Sequence, residues 1–151
     1  MRELLLVAGL TLVPWVELRG AIPVGLALGQ RPLEVLAVAV AANAALVLPA
    51  WWALDLAYGR WLSRWAPVRR QVERVRRSGE GYVRRYGLVG LTLFVAVPLP
   101  GTGAYAGAAL AWLLGLPRAG ALAAIACGVI LAGAAVTLVA TGAVSLIRIL
   151  P

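Results

Sequence analysis

The chain has 151 residues, of which 62% are hydrophobic and 13% charged, and its mean hydropathy is +0.90. Soluble domains are about half apolar and about a quarter charged, so this composition excludes a water-soluble globule, a disordered chain and a coiled coil. The formal charge of +8 is concentrated between Arg60 and Arg85, where there are nine arginines and two glutamates. Because charge-free hydrophobic stretches flank this segment, its expected partner is an anionic membrane surface and not nucleic acid.

The N-terminal apolar stretch is interrupted by a polar segment. Leu4–Val16 carries no charge, ELRGAIP follows at Glu17–Pro23, and the apolar pattern resumes as far as Gly29. As a helix, the first arm, Leu4–Val13, would reach about 15 Å, which is half of the hydrocarbon core. This length favours a re-entrant hairpin. The alternative is that Leu4–Gly29, which is long enough, crosses the membrane once.

Two other charge-free stretches predict transmembrane helices. Val35–Leu54 has 20 residues and Ala119–Ile147 has 29, and about 20 apolar residues cross the hydrocarbon core. Between them, Tyr86–Pro117 is also uncharged, but PLPGTG at Pro98–Gly103 interrupts it with two prolines and two glycines. Unpaired backbone is tolerated in lipid only when it is buried in protein or faces water. Each interruption therefore predicts a functional centre inside the bundle.

The two halves of the chain share an order of elements that predicts a repeat. GLTL occurs at Gly9–Leu12 and at Gly90–Leu93, and each copy precedes an interruption, a second apolar arm, a glycine and a proline. We predict an all-α integral membrane protein, a single domain over 1–151, with a broken or re-entrant helical hairpin and one transmembrane helix in each repeat (1–56 and 88–151). One crossing per repeat gives inverted topology. Four full crossings with parallel halves are the alternative.

The basic segment 57–87 between the repeats is predicted to be cytoplasmic, because arginine-rich loops stay on that side of the membrane. We expect a multi-pass protein of the inner or plasma membrane. An apolar stripe runs along the segment at helical spacing, formed by Trp61, Trp65, Val68, Val72 and Val75. This pattern predicts an amphipathic helix that lies in the headgroup layer and ends at Gly79 and Gly81.

Glu17 and Arg19 are the foremost candidate site residues, because a charge at membrane depth costs roughly 3 kcal/mol or more and normally faces the bundle interior. In an unwound segment both could point into one cavity, where Glu17 would carry a proton and Arg19 would hold an anionic headgroup or phosphate. A structural ion pair is the alternative.

Other residues complete the candidate site. Each second arm would aim its N-terminal amides at the interruption, which favours an anion site. Asn43 lies in mid-helix, where an asparagine commonly joins two helices. The predicted substrate- or ion-binding residues are Glu17, Arg19, Gly20, Pro23, Asn43, Pro98, Pro100, Gly101, Thr102 and Gly103.

A stripe of small residues predicts self-association. Gly120, Ala124, Gly128 and Ala132 recur at spacings of four, which allows helices to approach closely. A chain this short has little protein with which to cover two interrupted helices. We therefore predict a homodimer with this stripe as its leading candidate interface; packing within one chain is the alternative.

Two segments resemble a known family. VELRGAIPVGLALG at 16–29 and VPLPGTGAYAGAALAWLLG at 97–115 resemble the paired signatures of the small multidrug export protein family, which is distantly similar to the DedA-type membrane proteins. The resemblance spans nearly the whole chain and implies paired re-entrant hairpins whose functional centre contains the candidate residues named above, apart from Asn43. The arginine-bearing motif of the second DedA-type hairpin is absent, because PLPGTG stands in its place.

These observations predict a membrane transporter that moves an amphipathic or anionic substrate, either a drug-like molecule or a lipid, through the paired broken helices with possible proton coupling. A DedA-like lipid scramblase or flippase and a non-transporting scaffold are the alternatives. We expect no enzymatic activity, because the chain has no histidine, no paired aspartates and no serine or cysteine beside a base. We expect no metal, cofactor or nucleic acid; membrane lipid, the substrate and a second copy are the expected partners.

Overall fold

The computed structural model describes residues 2–58, 65–99 and 102–149, and every regular element in these ranges is helical. The helices in chain order are α1 Arg2–Thr11, α2 Glu17–Ala27, α3 Pro32–Ala45, α4 Val47–Ala53, α5 Ala66–Ala96, α6 Ala104–Leu113 and α7 Arg118–Ile149, and a π-helical turn, Leu54–Tyr58, follows α4. The all-α prediction is confirmed for this part of the chain.

Two stretches are long and apolar enough to cross a membrane. Pro32–Leu56, formed by α3, α4 and the start of the π-helical turn, has 25 residues, and Arg118–Ala143 of α7 has 26. In the most apolar part of each, only 22% and 33% of the residues are buried inside the protein. Most of their apolar surface therefore faces outward, as expected of helices in lipid, and two candidate spanning helices are present where the sequence predicts them.

The two spanning helices run antiparallel to each other. Near the start of α3, Leu36 and Val40 approach Gly133 of α7: a Cβ atom added there would lie 2.7 Å from Leu36 Cδ1 and 3.3 Å from Val40 Cγ2. At the other end, Asp55 in the π-helical turn pairs with Arg118, the first residue of α7. The beginning of each helix thus lies beside the later part of the other.

Helices α1 and α2 form a hairpin that covers the first half of α3. Gly25 of α2 packs between Val7 of α1 and Val35 of α3, and a Cβ atom on Gly25 would lie 2.8 Å from a methyl carbon of each. Gly29 ends the hairpin with a positive φ of 80°, a conformation that glycine adopts without steric cost. Pro32 then opens α3.

The end of α5 and α6 form a second hairpin against the first half of α7. Gly107 of α6 packs against Val95 of α5 and Ile125 of α7, with Cβ approaches of 2.6 Å and 3.3 Å. Gly115, with a φ of 63°, ends this hairpin as Gly29 ends the first. Pro117 directly precedes α7.

The small-residue stripe of α7 is occupied within the chain. A Cβ atom on Gly120 would lie 2.7 Å from Leu88 Cδ1, and one on Gly128 would lie 2.7 Å from the Thr92 carbonyl oxygen. Ala124 is 7% exposed. The candidate dimer interface was therefore wrong: the stripe indicates close packing, and its partner is α5. The homodimer stays a prediction without an assigned face.

Helix α5 is folded back on itself at Gly87, whose φ of 58° and ψ of −132° are non-helical. Gly90 beyond the kink packs directly on the Tyr82 carbonyl, and Gly79 lies beside Phe94 with Cβ approaches of 3.2 Å to its ring. The two arms, 66–86 and 88–96, are therefore antiparallel neighbours.

This fold-back differs from one prediction for the basic segment. The helix continues through Gly79 and Gly81 to Gly87, because Gly79 is needed for close packing and does not end the helix. The apolar stripe is only partly exposed: Val75 is 4% exposed and belongs to the core, whereas Trp65 is 66% exposed. Its place in the headgroup layer stays a prediction. Trp61 lies outside the described residues.

Candidate functional site

The predicted site forms where the two hairpins meet at their tips. One tip is the turn between α1 and α2, residues 12–16. The other consists of the described residues between α5 and α6, which are 97–99 and 102–103. The sequence pattern placed ELRGAIP in an unwound interruption. Instead α2 begins at Glu17, so Arg19 lies in its first turn and Pro23 lies inside the helix.

Glu17 and Arg19 form an ion pair despite lying in one helix. The Arg19 Nη1 to Glu17 Oε2 distance is 2.7 Å, and the side chains are 19% and 6% exposed respectively. Residues two apart on a regular helix do not face each other. Here Glu17 adopts a φ of 45°, which is rare for a residue with a side chain and turns its carboxylate toward Arg19.

Arg19 connects the first tip to the second. Its Nη2 donates to the Val97 carbonyl oxygen at 3.1 Å and to Thr102 Oγ1 at 3.0 Å. The Thr102 hydroxyl lies 2.5 Å from the Val97 oxygen and 2.9 Å from the Leu99 oxygen, either of which can accept its proton. The guanidinium and this hydroxyl thereby satisfy carbonyl groups that the interrupted helix leaves without a helical partner.

Glu17 caps the second hairpin. Its Oε1 accepts a hydrogen bond from the Tyr105 backbone N–H, in the first turn of α6, at 3.4 Å. Gly103 precedes α6, and a Cβ atom there would overlap the Glu17 carboxylate. The amide end of α6, expected from the sequence to bind an anion, is thus occupied by the protein's own carboxylate. The Tyr105 hydroxyl in turn donates to the Leu12 carbonyl oxygen at 2.7 Å.

Four of the candidate residues are therefore brought together: Glu17, Arg19, Thr102 and Gly103. Gly20 packs against Val16, the residue that precedes α2, and a Cβ atom on Gly20 would lie 2.5 Å from a Val16 methyl carbon.

The remaining candidate residues lie elsewhere or are not described. Pro23 and Pro98 line a different, apolar cavity beside α7. Asn43 is fully buried, and its amide nitrogen and oxygen have no hydrogen-bond partner among the described residues, so it does not join helices as expected. Pro100 and Gly101 lie outside the described residues.

A cavity of about 320 Å³ opens beside the paired tips. Glu17, Arg19 and Tyr105 line it from the hairpins, and Gln71 and Arg74 line it from the first arm of α5. The last two were missed from the sequence, because they reach the site only through the fold-back at Gly87. Tyr105 was also missed, although it is a polar side chain in a charge-free stretch, directly after the second interruption.

A second polar cluster joins the ends of the spanning helices. The Asp55 carboxylate accepts hydrogen bonds from Arg118 and, at 2.8 Å, from the indole Nε1 of Trp112. Nearby, Trp51 donates to the Ala108 carbonyl oxygen of α6 at 2.8 Å. This end of the bundle is held by polar contacts between the two halves of the chain.

Comparison with known proteins assigns the chain to a known family. Residues 17–135, more than half of the chain, match the family described as "Putative small multi-drug export protein", and the chain belongs to that family. The match begins at Glu17, directly after the first tip, and includes the segment of the second tip. No curated protein and no solved structure matches the chain.

The contact between Glu17 and Gly103 predicts an energetic coupling of the two tips. Gly103→Ala should lower the free energy of unfolding by about 1–3 kcal/mol, because its methyl group displaces the carboxylate. In a Glu17→Ala background the same substitution should cost less than about 0.5 kcal/mol, since the space is then empty. Unfolding in mixed micelles by SDS titration measures both values.

Gly9→Ala is the matched control for this cycle. Gly9 lies in α1, and no atom lies within 4 Å of an added Cβ, so this substitution should cost the same in both backgrounds. An equal cost of Gly103→Ala with and without Glu17 would show that the tips do not touch.

Proposed function

We propose that the protein is a membrane transporter whose substrate passes through the cavity beside the two hairpin tips. The observation that carries this proposal is the largely buried Glu17–Arg19 pair, which lies at a cavity where the tips of both hairpins converge. Broken helices that meet near the bilayer midplane are a design of transporters, because their free backbone groups and charges are available to substrate and ions.

The same proposal includes two re-entrant hairpins of inverted topology. Each hairpin arm of about ten residues reaches about 15 Å, which is half of the hydrocarbon core. Each hairpin packs on the first half of its own spanning helix, and the spanning helices are antiparallel. Under this arrangement the hairpins enter from opposite faces. The turn at Gly87 lies on the cytoplasmic side, and the first arm of α5 extends from it toward the tips, where Gln71 and Arg74 line the cavity.

A labelling experiment tests the topology. The turns that follow the two hairpins contain Arg31 and Pro117, both exposed. Single cysteines there, each in a Cys127→Ala background, should react with a membrane-impermeant maleimide from opposite faces of oriented vesicles. Reaction of both from the same face would eliminate re-entrant hairpins and establish four full crossings.

The buried ion pair favours a transporter over a scaffold. A buried pair stabilises a fold little, and well-packed apolar residues of similar volume commonly do as well or better. A chain selected only to associate through helix faces would have no need of Glu17 and Arg19. A DedA-like lipid scramblase uses the same paired hairpins and differs from a coupled transporter in moving its substrate without a proton gradient.

Glu17 is positioned to couple a proton to movement of the tips. It pairs with Arg19 and caps α6 in the ionised form. Protonation would remove the charge that both contacts depend on. The bonds of Arg19 to Val97 and Thr102 and the hydrogen bond from Tyr105 to Leu12 would then hold the tips. Binding or loss of one proton at Glu17 would thus alter the connection between the two halves of the chain.

Flux measurements in proteoliposomes test this function. Across a panel of anionic lipids and cationic drugs, the wild-type protein should move at least one class, and a pH gradient should increase its flux. Glu17→Gln should abolish the pH-driven component, because the amide carries neither the charge nor the proton. Glu34→Gln, an exposed carboxylate that pairs with Arg31 on the surface, is the matched control and should leave flux unchanged.

Two results would contradict the proposal. Absence of flux for every member of the panel would argue against transport and for a scaffold. Undiminished pH-driven flux through Glu17→Gln would show that Glu17 does not carry the proton. Flux that is independent of the pH gradient in the wild-type protein would indicate a scramblase.

A further inference from the structure

We infer that the cavity beside the hairpin tips takes an anionic amphiphile, a phosphate-type head with an apolar tail, and that Arg74 of α5 binds the head. This inference rests on the proposed function, since it names the substrate class of the same cavity. Arg74 lies outside the two hairpin motifs in the sequence.

The charges that face the cavity leave one cation unbalanced. Three side chains that carry a full charge line the cavity: Glu17, Arg19 and Arg74. The carboxylate of Glu17 is neutralised by Arg19 at 2.7 Å. No carboxylate of the described residues lies within salt-bridge distance of Arg74. The cavity therefore carries a net positive charge, which attracts an anion and repels a lipophilic cation.

Arg19 adds a further donor at the same place. Its Nε–H is buried and has no hydrogen-bond partner among the described residues. A buried donor without an acceptor is costly, so a ligand oxygen at this position would be favoured. The guanidinium groups of Arg19 and Arg74 present planar sets of N–H donors, which match the oxygens of phosphate and carboxylate.

Arg74 also lies at the edge of a basic surface. A second, more open concavity along α5 is lined by four arginines and one carboxylate: Arg69, Arg70, Arg74, Arg77 and Glu73, of which Glu73 pairs with Arg77. Because Arg74 borders both spaces, the positive surface continues along α5 to the tips. Such a surface raises the local concentration of anions at the entrance.

The rest of the cavity wall fits an apolar tail. Trp15, Val16, Val72, Ala106 and Ala109 are among its lining residues. Its volume of about 320 Å³ is at the lower end of the range for small-molecule sites, so it holds a head group and the first part of a chain. Trp15 is 85% exposed, which leaves an apolar side chain at the mouth where a longer tail would pass into lipid.

Calorimetric titration of the purified full-length protein in dodecyl maltoside tests the inference as binding, separately from transport. The probes are octyl phosphate, octyltrimethylammonium and inorganic phosphate, each corrected for titration into protein-free micelles. Octyl phosphate should bind at least tenfold more tightly than either of the others. Arg74→Gln should weaken octyl phosphate binding about tenfold, which is the contribution expected of a charge-assisted hydrogen bond.

Arg76→Gln is the matched control. It removes the same charge from the same arm of α5, but Arg76 pairs with Glu80 and lines neither space. Its octyl phosphate affinity should stay within twofold of the wild type. Equal losses in Arg74→Gln and Arg76→Gln would overturn the inference, because only overall charge would then matter.

The probes separate the remaining outcomes. Binding of octyltrimethylammonium as tight as that of octyl phosphate would overturn the anionic assignment, and equal binding of inorganic phosphate would overturn the requirement for a tail. Selective octyl phosphate binding without flux in proteoliposomes would support the ligand class while contradicting transport. Flux of cationic drugs alone would support transport while contradicting the anionic ligand class.

Discussion

The structure depends on a single buried ion pair at the point where two interrupted helices meet. Glu17 and Arg19 leave few groups at the tips unsatisfied: the carboxylate caps α6, and the guanidinium bonds to Val97 and Thr102 across the gap. In surroundings of low dielectric constant an unpaired charge is energetically costly, so removing one side chain would leave the other as an unpaired charge. The pair therefore connects the tips of the two hairpins.

Close packing by glycine brings the charges to this position. Gly25 and Gly107 allow each hairpin to lie against its own spanning helix, and Gly103 leaves the space that the Glu17 carboxylate fills. The kink at Gly87 returns the first arm of α5 to the same place, which adds Arg74 to the cavity. A thin bundle thus builds a polar centre from few side chains, because small residues let its helices approach closely.

The sequence predicts the spanning helices and part of the site because charge is scarce in this chain. Uninterrupted apolar stretches mark α3–α4 and α7, and Glu17 and Arg19 are conspicuous in apolar surroundings. The start of α2 was less predictable, because Glu17 adopts a left-handed φ of 45°, which residues with a side chain rarely adopt. A stripe of small residues shows that another helix packs closely against it but does not identify that helix. Gly128 was therefore assigned to a dimer interface, whereas in the structure it packs against α5. The fold-back of α5 depends on Gly87, which sequence alone does not distinguish from Gly81.

Disulfide cross-linking in native membranes tests most directly whether the two tips meet. The Cβ position of Gly103 coincides with the Glu17 carboxylate, so cysteines at these two positions lie within reach of a disulfide. In a Cys127→Ala background, oxidation of Glu17→Cys/Gly103→Cys should join the two tryptic peptides, as detected by mass spectrometry. The control pair Gly9→Cys/Gly103→Cys should stay unlinked. Failure of the first pair to cross-link in folded protein, or equal cross-linking of both pairs, would contradict a site built from both hairpins.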